Sequence, residues 1–374
     1  MHGPLKSAAT RIPNTRAWVA ILALQLLLFA SACRPEPEAT GPGIPGTGDP
    51  VEFVRLEGIT TANEYGGALD EDLGRWQQEL PDIQDVRIPS SADDHEQPAL
   101  WLPPEGEGAR PLLVVLHTWS TEYLQNIGIP FGQWARDMGW AMVHPNFRGA
   151  NDNPDATGSD LAVQDVIDAV DFAAGEASID ESRVYLIGFS GGGYKALLMA
   201  GRHPDRFAAA AAWVPIHNLI DWYEHHVATS PGVSYIEHIS QSCGGDPTAD
   251  EAAAESCRER SPSTYLDAAR DAGVPIYIGH GLSDDTVPPA HAARAFNQLA
   301  DEGDRLDDAQ IEALAQYRLP DDLSGETQGT TYFAEQDPEV LFVRESASAM
   351  LVLFDGEHDM VYHPGLEWMI RQTE

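Results

Sequence analysis

The sequence predicts an α/β domain with a mostly parallel central sheet and helices on both faces. Two observations carry that prediction. Short, near-continuous apolar runs of strand length alternate with longer stretches of helical spacing. At one strand-to-helix junction, moreover, a single serine stands among glycines, in "VYLIGFSGGGYKALLMA" from Val184 to Ala200. With 374 residues, 43% of them hydrophobic, the chain is long enough to bury a large core.

The first segment lies outside that core. Lys6, Arg11 and Arg16 precede "AWVAILALQLLLFASAC", an apolar run too short to span a membrane comfortably and ending in small residues. Residues 1–32 therefore read as a secretory signal. Ala30-Ser31-Ala32-Cys33 resembles the lipobox of bacterial lipoproteins, with Ala30 where that motif usually carries leucine. The resemblance implies that Cys33 is lipidated and becomes the mature N-terminus; the alternative is ordinary cleavage near Ala32. Residues 33–50 are rich in Pro and Gly without apolar periodicity, as a tether would be, and residues 51–374 form the expected catalytic domain.

Within that domain "DVRIPSS" and "PALWLPP" read as a hairpin pair. "PLLVVLH" (111–117) and "WAMVHP" (140–145) have the continuous apolarity of strands buried on both faces. Leu161 to Ala174 shows helical spacing, with Val163, Val166, Ile167 and Val170 on one side. "RVYLIGF" is the next strand, and the serine turn leads into a helix that ends near "GRHPDRF". "AAAAAWV", "VPIYIGH" and "AMLVLFD" supply three more strands, with a helix after Pro289 and another near the C-terminus. No internal repeat is visible.

A strand, then Gly188-Phe189-Ser190-Gly191-Gly192, then a helix is the pattern of a nucleophile elbow in the α/β-hydrolase fold. The bland reading is a glycine-rich turn that merely closes tightly or cradles phosphate. An acid and a histidine at later strand ends decide between the two. "VPIYIGHGLSDDTVPP" presents Asp284 and Asp285, and "AMLVLFDGEHDM" presents His358. The order serine, aspartate, histidine on three strand ends is the one this fold imposes.

From about Asp85 onward the chain resembles the catalytic domain of the prolyl oligopeptidase family (peptidase family S9). The resemblance rests on "NFRGA" (146–150), "GFSGGGY", "HPDRFAAAAAWVP", "HGLSDDTVP" and "FDGEHDM". It implies that Asp284 is the triad acid, that Asp285 falls on a variable position, and that His358 is the base to Ser190. It also implies acyl transfer on a small peptide or ester, with no metal and no cofactor. The oxyanion donors would be the backbone N–H of Gly191 and one from the loop after the third strand, Trp119 first and Thr118 next. The chain departs from the family at several points. The stretch between the tether and the first strands is too short for the β-propeller that members commonly carry. Gly191 stands where an aromatic residue often follows the serine, and His117-Thr118-Trp119-Ser120 replaces a His-Gly-Gly type sequence. The long spacing between Asp284 and His358 points to an insertion at about 301–340.

Residues 216–261 read as a small cap over the site. Trp119, Trp213, Trp222 and Tyr223 are candidates for an apolar substrate wall, and His225 and His226 read as a solvated cap face. With Cys33 lipidated, Cys243 and Cys257 remain as an even pair, which in an oxidising compartment predicts a disulfide.

Charge excludes some partners. Without residues 1–32 the chain carries 59 acidic and 19 basic side chains, a formal charge of −40. Such a surface repels nucleic acid and anionic lipid, so membrane contact is expected only through a lipid on Cys33. The expected location is the bacterial cell envelope, on the exported side. The sequence supports a serine hydrolase, either an S9-like peptidase or a carboxylesterase. A catalytically silent lipoprotein that binds a partner is the reading from another class.

Overall fold

The computed structural model describes residues 53–327, 332–335 and 337–373. The expected signal sequence, Cys33 and the tether lie outside the described residues. In chain order the elements begin with α1 (Leu73–Glu79), the strands β1 (Gln84–Pro89), β2 (Glu96–Leu102) and β3 (Arg110–Leu116), and α2 (Ile129–Asp137). There follow β4 (Ala141–Pro145), α3 (Asp160–Glu176), β5 (Ile179–Phe189), α4 (Gly191–Arg202) and β6 (Ala209–Trp213). Three helices come next, α5 (Leu219–Thr229), α6 (Ser234–Cys243) and α7 (Glu251–Glu259), then α8 (Leu266–Ala272) and β7 (Ile276–Gly281). The chain finishes with α9 (Ala290–Leu299), α10 (Asp308–Ala315), β8 (Val340–Ser346), β9 (Ala349–Phe354) and α11 (Tyr362–Ile370).

The nine strands form one sheet in the order β1-β2-β4-β3-β5-β6-β7-β9-β8. From β4 to β9 every pairing is parallel, and the antiparallel pairings are β1–β2, β2–β4 and β8–β9. The central strands are buried on both faces, which is why their sequences run apolar without alternation. One core lies between the sheet and α3, α4, α8 and α9; the other lies between the sheet and α1, α2 and α11.

Local chemistry explains several of these elements. Ser159 caps α3 by accepting from the Ala162 N–H, and the buried residues of the helix include Val163, Val166, Ile167 and Val170. The alanines of β6 are small because helices close on them from both sides: a methyl group added at Gly365 of α11 would stand 2.9 Å from the Ala211 Cβ. Lys195 on α4 is fully buried; its Nζ donates to the Ala156 carbonyl at 3.1 Å and lies 4.9 Å from the Phe147 ring centre. Burial lowers its pKa to about 7.

The edge strand β8 differs from the sequence reading. β8 falls at the end of the stretch read as an insertion; its apolar run Val340-Leu341-Phe342-Val343 gives way to Arg344 and Glu345, and it pairs with β9 alone at the sheet edge. The helices α5, α6 and α7 all lie between β6 and β7, and a disulfide joins Cys243 at the end of α6 to Cys257 in α7.

Candidate active site

Ser190 occupies the turn between β5 and α4 with φ 57° and ψ −118°, a conformation that costs energy for any residue with a side chain. Its N–H is tied to the Trp213 carbonyl at 2.9 Å, so the turn is fixed from the neighbouring strand. The flanking glycines are steric requirements. A Cβ at Gly188 would stand 2.3 Å from the Gly192 carbonyl, and one at Gly191 would stand 2.4 Å from the Trp119 nitrogen.

Three side chains meet at this turn. Ser190 Oγ lies 3.0 Å from His358 Nε2, and His358 Nδ1 lies 2.7 Å from Asp284 Oδ2. Asp284 follows β7 and is fully buried, while His358 follows β9 and keeps partial contact with solvent. Asp284 Oδ1 accepts from the backbone N–H groups of Thr286 and Val287, at 2.9 Å each. Burial alone would raise the Asp284 pKa, but the facing His358 and His280 rings outweigh it and hold the carboxyl well below the usual carboxylate range. A charged Asp284 therefore accepts a hydrogen bond from the Nδ1–H of His358, which leaves the Nε2 lone pair aimed at Ser190. Asp285 is exposed, and its carbonyl meets His225 Nε2 at 3.0 Å.

His280 is a contributor that sequence reasoning missed. It is buried on β7, with Nε2 2.8 Å from the Val287 carbonyl and 3.4 Å from Asp284 Oδ2. It stands inside the quoted "HGLSDDTVP" stretch, so its position was legible and its role was not.

Beside the serine, the N–H of Gly191 opens α4 and the N–H of Trp119 lies against it; neither has an acceptor among the described residues. Two unpaired N–H groups next to a nucleophile are suited to receive a negative oxygen. Thr118 is corrected on this point. Its N–H is taken by Gln125 Oε1 at 3.0 Å, and Gln125 Nε2 returns a bond to Thr118 Oγ1, also at 3.0 Å.

The expected substrate wall also needs correction. Trp213 is fully buried, packed against Tyr277, Phe354 and Gly365 in the core beneath α11. Tyr223 packs into the opposite core, turned toward Asp246. Trp119 and Trp222 do meet, with ring centres 4.7 Å apart, and the Trp222 indole donates to the Thr286 carbonyl at 2.8 Å. His226, read as solvated, is buried with its ring 5.0 Å from Trp222 and 5.1 Å from Tyr235. Burial lowers its pKa to about 4. Among the described residues no group of three His, Cys, Asp or Glu side chains is placed to hold a metal ion.

Residues 132–315 match the profile of the prolyl oligopeptidase family. A dipeptidyl aminopeptidase BIII from Pseudoxanthomonas mexicana is 29% identical over 218 residues, 55% of this chain and 29% of that protein. A putative esterase, NocK, from Nocardia uniformis subsp. tsuyamanensis is 34% identical over 125 residues, 32% of this chain and 36% of that one. Among solved structures, the acylaminoacyl peptidase of Pyrococcus horikoshii aligns with a TM-score of 0.47 at 21% identity, over 58% of this chain and 34% of its own. The match thus spans about a third, or less, of these relatives' length.

Proposed function

We propose, from the match of residues 132–315 to the prolyl oligopeptidase family and from the geometry at Ser190, that the protein is a serine hydrolase that cleaves peptide or ester bonds through an acyl-enzyme. The single observation that carries this reading is the unbroken chain from Ser190 through His358 to the charged Asp284. Ser190 Oγ attacks the substrate carbonyl carbon as its proton passes to His358 Nε2. The carbonyl oxygen takes up the electron pair and rests on the N–H groups of Gly191 and Trp119. Collapse expels the alcohol or amine, which leaves with the proton from Nε2. Water then enters by the same route, His358 taking its proton, and releases the acid and Ser190. Asp284 stays ionised throughout and stabilises the imidazolium.

Esters and amides follow these steps alike, so a substrate screen separates them. p-Nitrophenyl esters of varied acyl length are compared with aminoacyl and prolyl p-nitroanilides, and a fluorophosphonate probe is mapped to its site. Labelling at Ser190 with turnover of either class supports the proposal. No labelling and no turnover would favour a silent partner-binding role.

The sequence also supports export, with a lipid on Cys33 holding the domain at the cell envelope. Among the described residues no helix is long and apolar enough to cross a membrane. Expressed from the full chain, the protein is expected in the membrane fraction, and Cys33→Ser is expected to release it. A soluble wild type would remove the lipid from this reading.

A further inference from the structure

The loop that carries the Trp119 donor is held from two sides. On the sheet side the Trp119 carbonyl accepts from the Asn151 N–H at 2.7 Å. On the cap side the Trp119 indole Nε1 donates to His238 Nδ1 of α6 at 3.3 Å, and the preceding α6 turn directs the Tyr235 hydroxyl toward Ser120. With His238 in place Trp119 is only 2% exposed, so the indole N–H takes its acceptor from the protein. Its ring is boxed between Trp222 at 4.7 Å and Tyr194 at 5.7 Å. Helix α6 is itself immobilised: Cys243 is bonded to Cys257, and Ser242 Oγ meets Thr157 Oγ1 at 2.8 Å in a buried contact.

We propose that His238 is a positioning residue for the oxyanion site, fixing the Trp119 N–H through the indole it accepts from. This rests on the hydrolase reading above. The backbone donor of residue 119 lies between the two anchors, the carbonyl bond to Asn151 and the indole bond to His238. With the second anchor gone, the indole is left without an acceptor and turns to find one, and the adjoining N–H leaves its place beside Gly191. Donor placement matters in the transition state, where the carbonyl oxygen is charged, and much less in the ground state. The loss therefore falls on kcat and not on KM. The cap is then a part of the catalytic scaffold as well as a cover.

The test compares the full protein with His238→Ala, His238→Gln and Trp119→Phe, using p-nitrophenyl acetate. His238→Ala is expected to lower kcat by about tenfold to a hundredfold, the range that a misplaced group costs, with KM within about threefold. His238→Gln offers a carbonyl oxygen where Nδ1 was, and should recover most of the lost kcat. Trp119→Phe removes the same hydrogen bond from the other end and keeps an aromatic ring; it should match His238→Ala, and the double variant should fall no further. If His238→Ala does not fold, Trp119→Phe against wild type carries the comparison. Wild-type kcat in His238→Ala, a change confined to KM, or Gln no better than Ala would each overturn the proposal. A wild type that neither turns over ester nor reacts with fluorophosphonate at Ser190 would overturn the hydrolase reading, and this inference with it.

Discussion

The two loops flanking Ser190 are held by different parts of the molecule. After β7 the chain turns at Asp284, and the carboxylate is bound by N–H groups of its own loop, Thr286 and Val287, and by His280 of the strand beneath. Nearly everything that places the acid lies within seven residues of it. The loop after β3 is different. Its Thr118 is tied to Gln125, its Trp119 carbonyl to Asn151 and its Trp119 indole to His238, 119 residues away in the cap. The acid is held by its own strand and loop, whereas the loop that carries Trp119 is also tied to a separate helical layer. On the proposed hydrolase reading, the cap could vary only as far as the Trp119 loop tolerates.

The largest expected effect lies at the serine that both loops serve. Ser190→Ala should lower kcat by about 10⁶, the scale reported for loss of such a nucleophile, with little change in melting temperature because the side chain packs against nothing essential. Steady-state kinetics with thermal melting checks both; retained activity would detach the turn from catalysis. Next comes the acid loop. Asp284→Asn should cost about 10⁴ in kcat through loss of the correct tautomer, while Asp285→Asn, altering an exposed side chain, should stay within about twofold. The reverse order would mean that the two aspartates are assigned the wrong way round.

The cap side is probed through its covalent link. Reduction, or Cys243→Ser with Cys257→Ser, removes a cross-link spanning 14 positions, worth about 3 kcal/mol by loop-closure entropy. Equilibrium unfolding should register that loss. If the cap supports Trp119 as argued, kcat on a p-nitrophenyl ester should fall under conditions where the protein is still folded; an unchanged kcat would confine the disulfide to stability.

Acid should separate the two regions more gently. His117 near β3, His226 in the cap and His363 on α11 have pKa values lowered to about 4, and His144 on β4 to about 3, in each case first of all by burial. Their folded-state values lie below those of the unfolded chain, so below about pH 6.5 the unfolded chain binds more protons. Their contribution to stability is complete above that pH and is lost progressively as the pH falls toward 4. Melting temperatures should decline by some degrees from pH 7 to pH 4.5. His226→Phe, which keeps a ring against Trp222, should reduce the slope; an unchanged slope would assign the acid response to the sheet histidines.

What the sequence revealed divides along the same line. Ser190, Asp284 and His358 were legible because the chemistry needs a strained turn and two strand ends, and each leaves a local pattern of glycines and apolar runs. The central strands were legible for the same reason. The choice of Trp119 over Thr118 was not, since it turns on one side chain, Gln125, whose partner no spacing reveals. Trp213 looked like a wall because it ends a strand near the site; the sheet pleat sends it to the other face, against α11. His226 looked solvated because it neighbours His225 on a polar helix, yet Trp222 and Tyr235 close over it. Helices α1 and α2 and the edge strand β8 escaped notice because each is short and flanked by loop, so that its period is too brief to read from sequence.

Lys195 has a practical consequence of its own. It is the only lysine from residue 53 to residue 373, and the fold seals it beneath Phe147 with its amine bonded to the Ala156 carbonyl. Reagents that acylate or cross-link amines therefore meet no target on the folded surface of these residues, although burial lowers the amine's pKa and so favours its neutral, nucleophilic form. The intact domain is refractory to such chemistry, and a molecule that opens is not. Modification at this one position counts opening events directly, giving the protein a built-in chemical clock for its own unfolding.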